Sequence, residues 1–159
     1  MGLKIRELVP RDRDDAREAL VTCGAFTDEE VRVALEVLDA GLEGGLHGDY
    51  ALFGAEIDGK VRGYVCVGKT PLTLSTWHLY WICVHPAVQG TGVGRALQSR
   101  AEAFVSGCGG ERVVLEASGL PGAARARRFY EDAGYTEVGR VPHFYRPDDD
   151  CIVYCKVLA

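Results

Sequence analysis

Apolar and polar residues alternate from Leu3 to Leu8, a period of two that predicts a first strand ended by Pro10. Ala16, Ala19 and Leu20 then recur at helical spacing between Asp12 and Thr22, and Gly24 closes that short helix. The next helix starts at Thr27-Asp28-Glu29-Glu30, where Thr27 and Glu30 fit a reciprocal cap and Phe26 and Val31 are spaced as a hydrophobic staple. Val31, Leu35, Leu38 and Leu42 form its apolar face, its other side carries Asp and Glu, and Gly44-Gly45 ends it. Two strands follow, Tyr50 to Ile57 and Lys60 to Val67, joined by the tight turn Asp58-Gly59 into an antiparallel hairpin. Lys69 to Ser75 is a loop holding Pro71, and Thr76 to Val84 is a long apolar and aromatic strand.

The chain then passes through His85-Pro86 and Gln89-Gly90-Thr91-Gly92-Val93-Gly94 before a helix with Val93, Leu97, Ala101 and Phe104 on one face. Arg112 to Glu116 reads as a short buried strand, Gly119 to Gly122 as a turn, and Ala123 to Asp132 as a helix stopped by Gly134. Tyr135 to Val141 is a strand, Pro142 to Asp150 a loop ending in three aspartates, and Cys151 to Leu158 the final strand. The order β-α-α-β-β-β-α-β-α-β-β, without repeats or a linker, predicts one α/β domain over residues 1–159.

Composition narrows the class. Of 159 residues, 47% are hydrophobic and 26% charged, as in ordinary globular domains. No apolar run reaches the length of a membrane span, and charges stand where a signal peptide needs its apolar stretch, so the expected location is cytoplasmic and no membrane partner is expected. The net charge of −5 argues against nucleic acid as the partner, while leaving room for a local basic pocket. The six cysteines have no framework spacing and are expected as free, mostly buried thiols.

A strand that empties through glycines into a helix N-terminus makes an anion site, because the first N–H groups of the helix are free and its dipole favours negative charge. The anion is not a dinucleotide read by a Rossmann turn, since the glycines are spaced G-x-G-x-G and follow an antiparallel hairpin. A P-loop also fails, because Arg95 and Ala96 follow Gly94. The four histidines show no metal-binding spacing, and no metal is expected. Cys83 and His85 lie two apart but have no evident orienting third group, and there is no Gly-x-Ser-x-Gly elbow.

The segment Tyr80 to Pro86 followed by Gln89, Gly92 and Gly94 resembles the acetyl-CoA signature of the GCN5-related N-acetyltransferases, the GNAT family. Arg127 to Tyr135, with its Phe129-Tyr130 pair before Gly134-Tyr135, resembles that family's helix-to-strand segment, and the element order is the family's order. The resemblance implies a mixed, mostly antiparallel, twisted sheet flanked by helices and splayed where cofactor and acceptor meet. It implies acetyl-CoA as cosubstrate, with its pyrophosphate on the N–H groups of Gly90, Thr91, Gly92, Val93, Gly94 and Arg95, and Gln89 beside them. The pantetheine arm would pair with the backbone of Ile82, Cys83 and Val84 as an added strand, where an N–H would also polarise the thioester carbonyl.

By the same resemblance, Tyr130 donates to the departing thiolate; otherwise it is an aromatic packed beside Phe129. For the general base Glu116 stands first, as a carboxylate closing a buried strand, against a plain salt bridge to a surface arginine. His78 and Tyr80 share a strand face and could relay a proton through water, with Ser118 assisting. Phe144 and Tyr145, in the predicted loop with the aspartates, are placed to line the acceptor pocket, as in a subgroup of small bacterial and archaeal acetyltransferases; the alternative is a solvated acidic loop. One departure stands out. Family members often carry an Asn seven residues before the tyrosine, whereas this chain has Ala123 there and no Asn anywhere, leaving backbone, Arg125 or Arg127 to replace that contact. The expected reaction is direct acetyl transfer to the primary amine of a small molecule, amino-acid-like or polyamine-like, with a homodimer, common in the family, as the candidate assembly. The alternatives are an acyl-CoA sensor on the same fold and an acetyltransferase acting on protein N-termini or lysines.

Overall fold

The cap written at Thr27 forms as the sequence predicts. In the computed structural model, which describes residues 2–159, the Glu30 N–H donates to Thr27 Oγ1 at 3.2 Å and the Thr27 N–H to Glu30 Oε1 at 3.1 Å. This starts α2 (Asp28–Gly44), which packs with α1 (Arg13–Thr22) on one face of a seven-stranded sheet. Ala16, Leu20, Ala34 and Leu38 meet Leu52, Tyr64 and Cys66 there. The opposite face carries α3 (Val93–Gly107), whose Val93, Leu97, Ala101 and Val105 bury against Phe53, Val65, Val67 and Leu115. Each valine, leucine or phenylalanine among them contributes about 1.5–3 kcal/mol when removed from water.

The strands are β1 (Leu3–Glu7), β2 (Ala51–Ile57), β3 (Lys60–Lys69), β4 (Thr76–Val84), β5 (Arg112–Ser118), β6 (Thr136–Arg146) and β7 (Asp149–Val157). They lie in the order β1-β2-β3-β4-β5-β7-β6, antiparallel throughout except for β4 with β5. That parallel pairing covers only Thr76 to His78 against Arg112 to Val114, while β5 stays paired with β7 to Ser118. Beyond His78, β4 therefore has an open edge. A bulge falls at the same place: Trp81 faces Cys66 and Leu79 faces Val67, leaving Tyr80 as the extra residue. A bulge bends and overtwists its strand, and this one accompanies the divergence of β4 from β5.

The loop expected over Pro142 to Asp150 is instead mostly strand. β6 runs through Arg146 and β7 begins at Asp149, with a register shift between Val141 and Arg146 absorbing the surplus residues. The alternation was masked by Pro142 and by His143, whose φ of 54° breaks the pleat. The aspartates build the hairpin and are not a solvated run. Asp150 accepts from the His143 N–H and from Arg140 Nη1, both at 3.0 Å, and Asp149 is 1% exposed. All six cysteines are free: Cys66, Cys83 and Cys151 are buried, Cys23 and Cys155 half-buried, Cys108 exposed. No described helix is long and apolar enough to cross a membrane.

Candidate active site

The open edge of β4, the turn after it and the start of α3 meet α4 (Ala124–Asp132) around a cleft of about 580 Å³. Ile82, Cys83, Val84, Gln89, Gly90, Gly92, Gly94, Arg95 and Tyr130 all line it. Thr91 and Val93 do not: Thr91 Oγ1 donates back to the Val88 carbonyl, and the Val93 side chain is buried under the helix. These two contribute backbone only.

The His85 N–H donates to the Arg62 carbonyl across β3 at 2.7 Å. Alternation along an antiparallel ladder then turns the N–H and C=O of Ile82 and Val84 toward the open edge. Gln89 Nε2 donates to that Val84 carbonyl at 2.9 Å, so this side chain ties the turn to the strand. The three glycines have different tasks. Gly90 and Gly92 stand at φ 76° and 90°, a left-handed conformation that an L side chain resists, and a Cβ on either would face open space. Gly94 is set by packing, since a Cβ there would lie 3.3 Å from the Phe129 ring. The entry to α3 thus has no side chain at Gly90, Gly92 or Gly94, beside the free N–H groups of its first turn, as a phosphate site requires. Arg95 leans across, its guanidinium 5.6 Å from the Phe129 ring centroid and 3.3 Å from the Asp132 carbonyl.

Tyr130 is half-buried between Phe129, at 5.6 Å between ring centroids, and Tyr135, at 6.1 Å. Burial pushes its hydroxyl up to about 12, so it stays protonated throughout the neutral range. Of the two arginines available in place of an Asn at Ala123, Arg127 is engaged elsewhere. Its Nη1 donates to the carbonyls of Ser118 and Leu120 at 2.7 and 2.8 Å, clamping the β5–α4 turn. Arg125 lines the cleft.

The remaining predicted residues do not line this cleft: His78, Tyr80 and Glu116 stand where β4 and β5 separate, and Phe144 and Tyr145 on the β6–β7 hairpin. His78 Nε2 lies 3.5 Å from Glu116 Oε1, and the His78 ring stacks on Tyr80 at 4.8 Å. Burial pulls the imidazole below its ordinary value, against the opposing pull of Glu116. Tyr80 is raised chiefly by burial, with Glu116 among the lesser causes. Tyr145 is raised the same way; its hydroxyl donates to Cys151 Sγ at 3.7 Å, and its ring meets Phe144 edge-on at 5.0 Å. The charge of Glu116 therefore reaches His78, Tyr80, Tyr145 and Cys151 together. Ser118 has a different place from the one expected. Its hydroxyl donates to the buried Asp149 at 2.5 Å and accepts from the Leu120 N–H at 3.1 Å, so it braces the end of β5.

Sequence reasoning missed two parts of the cleft. Cys23, Gly24 and Ala25 enter it from the α1–α2 connection, and no local pattern marks them. Gly122, Ala126 and Phe129 do carry a signal: with Arg125 they stand at i, i+3, i+4 and i+7, one helical face.

Comparison with known proteins agrees with this geometry. Residues 48–137 match the family model of the acetyltransferase (GNAT) domain. An uncharacterized N-acetyltransferase of Methanocaldococcus jannaschii is 31% identical over 105 residues, 64% of this chain and 63% of that protein, so the match spans under two thirds of the relative. A crystal structure of a protein from Desulfovibrio desulfuricans, assigned to the GNAT acetyltransferases, superposes with a TM-score of 0.94 at 38% identity, over 99% of this chain and 100% of that one. An aminoglycoside 6′-N-acetyltransferase solved with coenzyme A shares the fold, with a TM-score of 0.79 at 16% identity, over 97% of this chain and 96% of that one. The chain belongs to the GNAT family of acetyltransferases, which use acetyl-CoA as their standard cosubstrate.

Proposed function

We propose that this protein, working as a single domain over residues 1–159 and in the cytoplasm, transfers the acetyl group of acetyl-CoA to the primary amine of a small molecule. Attack is direct, with both substrates bound. The observation that carries this reading is the convergence of three features on one cleft: the open edge of β4, the bare N-terminus of α3 and the hydroxyl-bearing Tyr130.

The donor side fits the chemistry of the cosubstrate. Bound acetyl-CoA supplies an activated carbonyl and a sulfur leaving group. The N–H groups of the first α3 turn hold its pyrophosphate, and Arg95 and Arg125 add positive charge nearby. Ile82 and Val84 offer backbone donors and acceptors to the amides of the pantetheine arm, with the Val84 carbonyl already shared by Gln89. A β4 N–H stabilises the carbonyl oxygen as negative charge grows on it.

Proton handling divides between the two walls. Glu116, with His78 beside it at 3.5 Å, takes up the proton that the amine releases. Tyr130 holds its proton more tightly than a free thiol does, whose ordinary value is about 8.5. It therefore serves the leaving sulfur as a hydrogen-bond donor and keeps its own proton.

Calorimetry with acetyl-CoA and coenzyme A tests the donor site, and a mass-resolved product from acetyl-CoA with a metabolite extract tests transfer. Absence of coenzyme A binding at millimolar concentration would overturn the proposal. Binding without any acetylated product would favour an acyl-CoA sensor.

A further inference from the structure

Resting on the acyl-transfer reading above, we infer that the acceptor is a diamine or polyamine that carries no carboxylate, its reacting nitrogen at Glu116 and a second ammonium at Asp49. The wall on which an acceptor must lie holds negative charge that nothing on it neutralises. Among the described residues Glu116 has no Lys or Arg within ion-pair distance, only the half-buried His78. Asp49 pairs with no Lys or Arg among them either, and it is exposed. The two acidic residues lie at the two ends of one aromatic group: Tyr80 stacks on His78, which faces Glu116, and meets edge-on, at 5.4 Å, Tyr50, the residue that follows Asp49. Gly68 on β3 leaves room for both ends: a Cβ there would meet the Asp49 carbonyl oxygen and, at 3.0 Å, the Tyr80 ring. Both carboxylates also weigh on the Tyr80 hydroxyl.

The cations nearby are all committed or out of reach. Arg140 is held by Asp150 at 3.0 Å and Arg146 by Asp149 at 2.5 Å. Arg127 is held by two carbonyls. Lys69 lies opposite Trp77 in the β3–β4 register, on the face away from His78 and Tyr80. Arg112 shares the face of Glu116 but stands four residues up β5, about 13 Å at the rise of a strand. An α-carboxylate next to the reacting amine cannot span that distance. It would meet only like charge, whereas stacked aromatic rings between two carboxylates suit a chain of ammonium groups.

The discriminating substrates differ by one group. Ornithine is 1,4-diaminobutane with a carboxylate added, and butylamine is 1,4-diaminobutane without its second amine. With acetyl-CoA saturating, kcat/KM is expected to be at least about tenfold higher for spermidine and 1,4-diaminobutane than for ornithine or butylamine. Asp49→Asn is expected to bring the ratio of spermidine to butylamine close to one. Ornithine acetylated as well as 1,4-diaminobutane would overturn this inference and leave the transferase reading intact. So would butylamine matching spermidine in the wild type, or a lysine peptide surpassing both. Failure to acetylate any amine, with coenzyme A still bound, would remove the transferase reading and this inference with it.

Discussion

At the scale of single residues, Tyr130 and His78 show how burial tunes the two walls in opposite senses. Burial holds the Tyr130 hydroxyl neutral by raising it to about 12, and holds the His78 ring neutral by lowering it. A hydrogen bond from a neutral donor to a developing thiolate contributes about 1.5–3 kcal/mol. Tyr130→Phe should therefore lower kcat by about ten- to a hundredfold, while calorimetry finds the affinity for coenzyme A little changed. An equal loss of affinity would mean that the ring shapes the cleft and the hydroxyl has no part in transfer. His78 allows a separate check. Its imidazole should titrate below the ordinary histidine value by NMR, and lower still in Glu116→Gln, because the carboxylate is what opposes the effect of burial. Protonating a group whose folded value is depressed costs stability, so this contribution is full above the unfolded value and is lost as pH falls through the folded one.

At the scale of elements, two irregular strands make the site. The bulge at Tyr80 accompanies the separation of β4 from β5 and leaves the β4 edge free. The shifted register of β6 against β7 carries Phe144 and Tyr145 within the hairpin, in which Asp149 is buried. Asp149 joins three elements, accepting from Ser118 at the end of β5 and from Arg146 in the hairpin. Asp149→Ala should cost about 2 kcal/mol by thermal denaturation, less than a fully buried pair, because Arg146 is half exposed and can be solvated. The same variant should raise KM for the acceptor more than for acetyl-CoA, since the loosened hairpin carries Tyr145 and not the α3 turn. The elements themselves were largely legible in the chain, since caps, helical faces and the Asp58-Gly59 hairpin are local. The β6–β7 hairpin was not, because a proline and a left-handed His143 interrupt the alternation that reveals a strand.

At the scale of the whole molecule, a chain of net charge −5 has a cleft lined by a helix N-terminus and two arginines, the local positive charge that the proposed binding of an anionic cosubstrate calls for. Elsewhere Arg6 and Arg13 tie down the carboxylates of Asp12 and Asp39. Hydrogen bonds from Arg6, and a lesser one from the Val9 N–H, hold the Asp12 carboxyl below its usual value, and Arg13 does the same for Asp39. Stability from Asp12 is full above the unfolded carboxyl value and is lost as pH falls through the lower folded one. Asp12→Asn should therefore melt earlier than the wild type at pH 7, and the gap should close in acid as the wild-type group is protonated. The order of elements and the strand–glycine–helix anion site were readable from the chain alone, because each depends on neighbours within a few positions. Which residues meet on the proposed acceptor wall follows from tertiary structure and not from local pattern. His78 and Glu116, 38 positions apart, meet only because β4 and β5 pair in parallel for three residues and then diverge. Ser118 faces Asp149 only because β7 lies beside β5. Such meetings are set by register and by a bulge, and periodicity along one strand holds no information about the partner it will lie against.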